Sequence, residues 1–122
     1  MILVDASVWI EHVRAPDEIM LELLRDQRVL THPFVIGEIV LGHVRRREIV
    51  LSELKELPLA PVVDDEEVLE FIEDRRLFGQ GIGYVDAHLL ASSMIADRTS
   101  LWTLDKNLRA AAERLGLAAD RP

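Results

Sequence analysis

Apolar residues form two unbroken runs near the ends of the chain, with helically spaced stripes between them. Ile2-Leu3-Val4 runs into Asp5, and Leu101-Trp102-Thr103-Leu104 runs into Asp105. Continuous rather than alternating hydrophobicity marks a strand covered on both faces. A short helix is expected from Ser7, with Val8, Trp9 and Val13 as apolar contacts. Pro16 is expected to start the next helix, with Asp17 and Glu18 in its first turn and Ile19, Met20, Leu23 and Leu24 at helical spacing. Residues 28–31 read as a weak second strand. His32-Pro33 then opens a helix with the stripe Val35, Ile36, Ile39 and Val40, and Gly42 comes late in it.

Residues 49–57 read as a further short helix stopped by Pro58. Residues 59–63 are a third strand candidate, which Pro61 confines to an edge or to a short length. Asp64-Asp65-Glu66-Glu67 precede a helix with Val68, Leu69, Ile72 and Phe78 as its apolar side, and capping and the helix dipole account for these acids. Residues 79–83, with three glycines, form a flexible connector to a helix over 84–96, which carries Ala87, Leu90, Ala91 and Met94 on one face. After the strand ending at Asp105 come a last helix over 107–115, a stop at Gly116, and a possible final strand at 117–119. With no repeat or interdomain linker, residues 1–122 read as a single domain. The order of elements predicts a three-layer α/β/α sandwich around a mostly parallel sheet.

A chain of 122 residues suits one core. The absence of cysteine excludes disulfide, zinc–thiolate and iron–sulfur chemistry and fits a reducing compartment. No basic segment followed by a long apolar stretch opens the chain, so a secretory leader is not expected. The stretch 79–96 is poor in charge but holds Gln80, Asp86, His88 and three glycines, which excludes a membrane span. The net charge of −8 argues against a general nucleic-acid binder, unless basic residues cluster. Arg45-Arg46-Arg47 is such a cluster, and Lys106 and Arg109 flank Asp105. The triplet reads equally as a solvated helix end or as an RNA contact.

Ligands of open α/β sheets bind just beyond the carboxyl ends of the strands. Asp5 and Asp105 stand there, and carboxylates brought together repel unless a cation lies between them. Glu38 lies beside an apolar stripe, where it is either exposed at the edge or in need of a partner. Asp86 is the lone formal charge between Arg76 and Asp97; it suits the first turn of its helix or a polar site. Asp64 and Asp65 read as capping residues. Trp9 and Trp102 read as core rather than as base-stacking platforms. His12 and His88 read as hydrogen-bonded or exposed, with His12, two turns after Asp5, the stronger candidate for phosphate or proton chemistry. Arg14, Lys106 and Arg109 suit either phosphates or surface ion pairs.

The opening Ile2-Leu3-Val4-Asp5-Ala6-Ser7-Val8-Trp9-Ile10 resembles the start of PIN-domain ribonucleases, especially the VapC-like toxins of toxin–antitoxin pairs. Ile36-Gly37-Glu38-Ile39-Val40-Leu41-Gly42, Tyr84-Val85-Asp86-Ala87-His88-Leu89-Leu90-Ala91-Ser92 and Leu101-Trp102-Thr103-Leu104-Asp105-Lys106-Asn107-Leu108 match the same family in order. The resemblance implies a compact α/β fold with an acidic pocket for Mg²⁺ or Mn²⁺, formed by Asp5, Glu38, Asp86 and Asp105, the last acting directly or through water. Ser7 matches a small hydroxyl residue near the metal, and Thr103 a polar position near the last acid.

The implied activity is in-line endoribonucleolytic hydrolysis of an RNA phosphodiester by metal-activated water, leaving 5′-phosphate and 3′-hydroxyl ends. The implied partners are a cognate antitoxin and a second copy in a homodimer, in the cytoplasm, with the helices over 17–26 and 33–44 supplying apolar surface. Three other readings are weighed against it. A phospho-acceptor receiver wants an acid pair after the first strand and a lysine ending the late one, where this chain has Asp5-Ala6 and Asp105-Lys106. A haloacid-dehalogenase-type phosphotransferase wants an aspartate where Ser7 stands. The remaining alternative is a catalytically silent PIN-like binding module.

Overall fold

A computed structural model describes residues 1–119. The elements run β1 (Ile2–Val4), α1 (Ala6–Arg14), α2 (Glu18–Arg25), β2 (Val29–Leu30), α3 (Pro33–Leu41), α4 (Arg47–Glu56), α5 (Asp65–Asp74), α6 (Tyr84–Ile95), β3 (Ser100–Trp102) and α7 (Lys106–Arg114). The three strands are parallel in the order β2-β1-β3. Leu3 faces Leu30 on one side and Leu101 on the other. All three β1 residues are buried, as a strand covered on both faces requires. The helices complete a three-layer α/β/α sandwich, with α1, α3 and α4 packed together and α5 packed on α6. One core joins Leu3, Val4, Met20, Ile39, Leu54, Leu89, Leu90, Leu101 and Leu108, and a smaller cluster of Val63, Val68, Ala87 and Ala91 seals α5 to α6. No helix among the described residues is long and apolar enough to cross a membrane.

Several expectations need correction. Residues 59–63 form no strand. A single parallel bridge joins Leu59 to Thr31, because Pro61 has no N–H to continue a ladder. The tail likewise makes one bridge, Ala118 to Leu101. β3 ends at Trp102, since the Thr103 side chain and the Leu104 N–H turn into the site described below. Pro16 precedes α2 rather than starting it, and Asp17 caps that helix by accepting the Met20 N–H. On α5 the inward face carries Val68, Phe71 and Ile72. Leu69 and Phe78 are exposed, and Phe78 lies beyond the helix end. The arginine triplet bends the α3–α4 connection. Arg46 sits at φ 54°, and the Arg47 guanidinium donates to the Val40 carbonyl at the end of α3, where the dipole favours a cation.

Candidate active site at the carboxyl edge of the sheet

β1 lies between neighbours reached by connections in opposite directions, which opens a crevice at its carboxyl end. Asp5 is the first residue beyond β1, and its backbone N–H still bonds the Trp102 carbonyl at 2.9 Å. It occupies the N-cap position of α1 in extended conformation, yet its side chain caps nothing. An N-cap aspartate ordinarily accepts from the first helical turn. Here Ser7 Oγ and Thr103 Oγ1 both donate to Asp5 Oδ2, at 2.7 and 2.8 Å. The two hydroxyls lie 3.4 Å apart, but each commits its proton to the carboxylate. Their oxygens accept in turn, Ser7 from the Leu104 N–H at 3.0 Å and Thr103 from the Asp105 N–H at 3.1 Å. Residues 96 and 98 positions apart are thus knotted around one carboxylate that is only 6% exposed.

Asp86 and Asp105 are oriented in a similar way. Asp86 Oδ2 accepts the Gly83 N–H at 3.1 Å at the start of α6. Asp105 Oδ1 accepts the Leu108 N–H at 2.8 Å and caps α7. All three aspartates are therefore held through one oxygen, and among the described residues no group donates to the other. Glu38, on α3, accepts no hydrogen bond from the described residues.

The four acids share an electrostatic environment. Partial burial, then the charges of Asp5 and Asp86, push the Glu38 carboxyl above its ordinary range, although the residue as a whole is exposed. Burial also raises Asp86, against the Gly83 N–H that lowers it, and the charges of Asp5 and Asp105 raise it further. Repulsion linking groups 81 positions apart in sequence, Asp5 and Asp86, reports a common pocket. Asp105 is exposed, and its charge raises Asp86. Among the described residues no three His, Asp or Glu side chains close around one point to hold an ion by themselves.

Residues 2–114 match the PIN domain family. The chain belongs to that family. It is similar to Ribonuclease VapC32 of Mycobacterium tuberculosis, in two strains, with 49% identity over 118 residues, 97% of this chain and 95% of the relative. Its fold is similar to the crystal structure of PAE2754 from Pyrobaculum aerophilum, with a TM-score of 0.62 and 19% identity, covering 93% of this chain and 85% of that one. The PIN assignment leaves the receiver reading without support, and Asp64 follows no strand and caps α5, as expected, by accepting the Glu67 N–H.

Other expected site residues in this PIN domain lie elsewhere. Trp9 and Trp102 are core. His12 Nδ1 accepts the Asp17 N–H and orders the turn into α2; desolvation lowers its pKa despite Asp17 and Glu53. Arg14 pairs with Glu11 and Arg109 with Glu113, all on the surface. Asp65 is not a cap. It accepts from Tyr84 Oη at 2.9 Å and lies 3.0 Å from His88 Nε2, and these bonds depress its pKa. The signal for this contact was the four-residue spacing of Tyr84 and His88, which puts both on one helix face.

Proposed function

We propose that this PIN-domain protein is an endoribonuclease that hydrolyses RNA phosphodiester bonds with the aid of Mg²⁺ or Mn²⁺, and that it acts as the toxin of a toxin–antitoxin pair. The 49% identity to a ribonuclease over nearly the whole of both chains supports the activity. What supports the site is the position of Asp5 just beyond the carboxyl end of the central strand, close enough to Glu38 and Asp86 for its charge to raise both carboxyls. Carboxylate oxygens are the donors Mg²⁺ and Mn²⁺ prefer, and Mg²⁺ commonly keeps several waters with only a few carboxylates. Asp5, Asp86 and Asp105 would hold it, directly or through water, by the oxygens their own chain leaves free. When bound, such an ion neutralises the scissile phosphate and the leaving oxygen and lowers the pKa of an attacking water.

The chain's own groups do the rest. Ser7 and Thr103 keep Asp5 Oδ2 fixed and leave Oδ1 without a donor among the described residues. Glu38 is the acid with no hydrogen-bonded oxygen and with its proton affinity raised, which suits it to orient the water and take its proton during in-line attack. The products would carry 5′-phosphate and 3′-hydroxyl ends. A cognate antitoxin that inserts an arginine among these carboxylates would form charge-assisted bonds and block the crevice. A homodimer in the cytoplasm, with α2 and α3 supplying contact surface, completes the proposal.

The test compares wild type with Asp5→Asn on labelled RNA, each with Mg²⁺ and with chelator, after circular dichroism has verified folding. Cleavage by wild type with Mg²⁺ alone is the expected result. Equal cleavage in all four samples sinks the mechanism.

A further inference from the structure

The segment that joins α5 to α6 supplies no acid to the crevice, yet it ends on the backbone group that holds one. Gly83, its last residue, donates its N–H to Asp86 Oδ2 at 3.1 Å. Leu77 is buried in the core and Ile82 packs against it. Among the described residues, every hydrogen bond from this segment to an element other than α5 and α6 comes from α7, the helix that Asp105 caps. Arg114 Nη2, at the carboxyl end of α7, donates to the carbonyls of Arg75 and Arg76 at 2.8 and 3.2 Å. Asn107 Nδ2, at the amino end, donates to the Gly81 carbonyl at 3.2 Å. Side chains seven positions apart share one helix face, two turns from each other. One face of α7 therefore grips the connection at two points, where it leaves α5 and just before it enters α6.

The contact at Gly81 is a close fit. Gly81 has φ +75°, in the left-handed region, and a Cβ there would stand 2.6 Å from Asn107 Nδ2 and 3.3 Å from Asn107 Cγ. The Asn107 amide thus fills the space that a side chain at position 81 would need. Asn107 lies two residues after Asp105, and Gly81 lies two residues before Gly83. Asp105 is fixed to the first turn of α7 by the Leu108 N–H. The Asn107 bond closes a short path of contacts from Asp105, through that turn and the connector, to the N–H on Asp86. The bond is exposed, so water replaces most of it when it breaks, and it bears on placement more than on stability.

We propose that Asn107 is a positioning residue that fastens the 79–83 connector to α7 and so fixes the separation of Asp86 and Asp105. It acts through Gly81 and Gly83 and not on the reacting atoms. Arg114 is the outer fastening and sets where the connection leaves α5. The consequence for metal binding rests on the function proposed above, whereas the fastening itself does not.

The test compares Asn107→Leu with Arg114→Met, after circular dichroism has verified folding. Leucine is close to asparagine in size and methionine keeps an unbranched stem, and neither donates a hydrogen bond. Both variants lose exposed bonds of α7 to the same segment, so a merely structural role predicts the same outcome for the two. In chelator, NMR reads the exchange of the Gly83 amide with solvent. It should be several-fold faster in Asn107→Leu and unchanged in Arg114→Met, because only the first loosens the segment next to Asp86. A Gly83 amide that exchanges at the wild-type rate in Asn107→Leu overturns the fastening.

The second arm measures Mn²⁺ binding by electron paramagnetic resonance without RNA. Loss of outer groups that orient metal ligands typically weakens binding 10- to 100-fold, so Asn107→Leu should bind about tenfold more weakly and Arg114→Met within about twofold of wild type. Wild-type affinity in Asn107→Leu, or equal weakening in both variants, overturns the fixed separation. Wild type that binds no Mn²⁺ overturns the proposed function, and the Gly83 exchange then decides the fastening by itself.

Discussion

Thr103→Val gives the most direct test of how the site is held together. Valine keeps nearly the same shape in a position that is 3% exposed, so the change removes a hydroxyl without opening space. Two bonds go with it, the 2.8 Å donation to Asp5 Oδ2 and the 3.1 Å acceptance from the Asp105 N–H. A bond to a charged acceptor contributes about 1.5–3 kcal/mol and an ordinary one about 1 kcal/mol. Water replaces part of the second loss because Asp105 is exposed, so the expected destabilisation is about 2–4 kcal/mol. Whole-domain stability is only about 5–15 kcal/mol. For a chain of this length each kcal/mol moves Tm by about 3–5 °C, so the variant should melt about 10 °C below wild type in chelator.

Ser7 is then the hydroxyl left on Asp5 among the described residues. Ser7 and Thr103 serve the same oxygen, so Ser7→Ala and Thr103→Val should be non-additive, with a coupling of about 0.5–3 kcal/mol in a double-mutant cycle. Mn²⁺ binding should weaken about tenfold, as for other groups that orient metal ligands. Calorimetry and a metal titration are sufficient assays. A variant that melts within about 2 °C of wild type would mean that less than the smallest expected loss had occurred and would refute the reasoning.

Further expectations concern pH, the connector and the core. Glu38 and Asp86 have raised pKa values, so with chelator the folded state carries their repulsion at neutral pH and takes up protons before the unfolded chain as pH falls. These groups therefore add stability as pH falls toward the unfolded carboxylate range at about 4, with Glu67 beside Asp64 adding in the same direction, whereas His12 and His32, whose pKa values burial lowers, remove stability below the ordinary histidine range at about 6.5. Asp65, with its lowered pKa, works in the opposite sense only when pH falls below that range. Glu38→Gln keeps both histidines and loses one raised carboxyl, so the wild-type Tm minus that of the variant should increase from pH 7 to pH 5, and a difference that stays constant contradicts the shared pocket. Gly81→Ala should cost at least about 1 kcal/mol in urea denaturation, because φ is +75° and the added Cβ would stand 2.6 Å from Asn107 Nδ2. Leu3→Ala, at a fully buried site in the central strand, should cost about 2–5 kcal/mol by the same assay, and an unchanged midpoint would show that β1 is not central to the core.

Local physics made much of this protein legible along the chain. The runs at Ile2 and Leu101 had to be buried strands, because no face of either is polar, and α3, α6 and α7 announced themselves through helical spacing and capping residues. Pro61 warned that residues 59–63 would pair poorly, and the structure reduces that segment to one bridge. Asp5, Glu38, Asp86 and Asp105 stood out because each is a charge in an apolar setting, a placement that stability alone does not favour.

Other features depended on through-space contact, which one-dimensional spacing does not encode. Asp5 looks like an N-cap in sequence, and only the arrival of Thr103 from β3 turns its carboxylate out of that role. Asp65 looks like one of four helix-start acids, and only the packing of α5 on α6 presents it to Tyr84 and His88. Asn107 looks like an ordinary exposed residue of α7, and only the approach of the 79–83 connector gives its amide a partner in Gly81. Amino-acid order determined which segments would be buried and which charges would be out of place. The tertiary structure decided which charges meet, because electrostatic repulsion and hydrogen bonding depend on distance across the fold rather than along the chain.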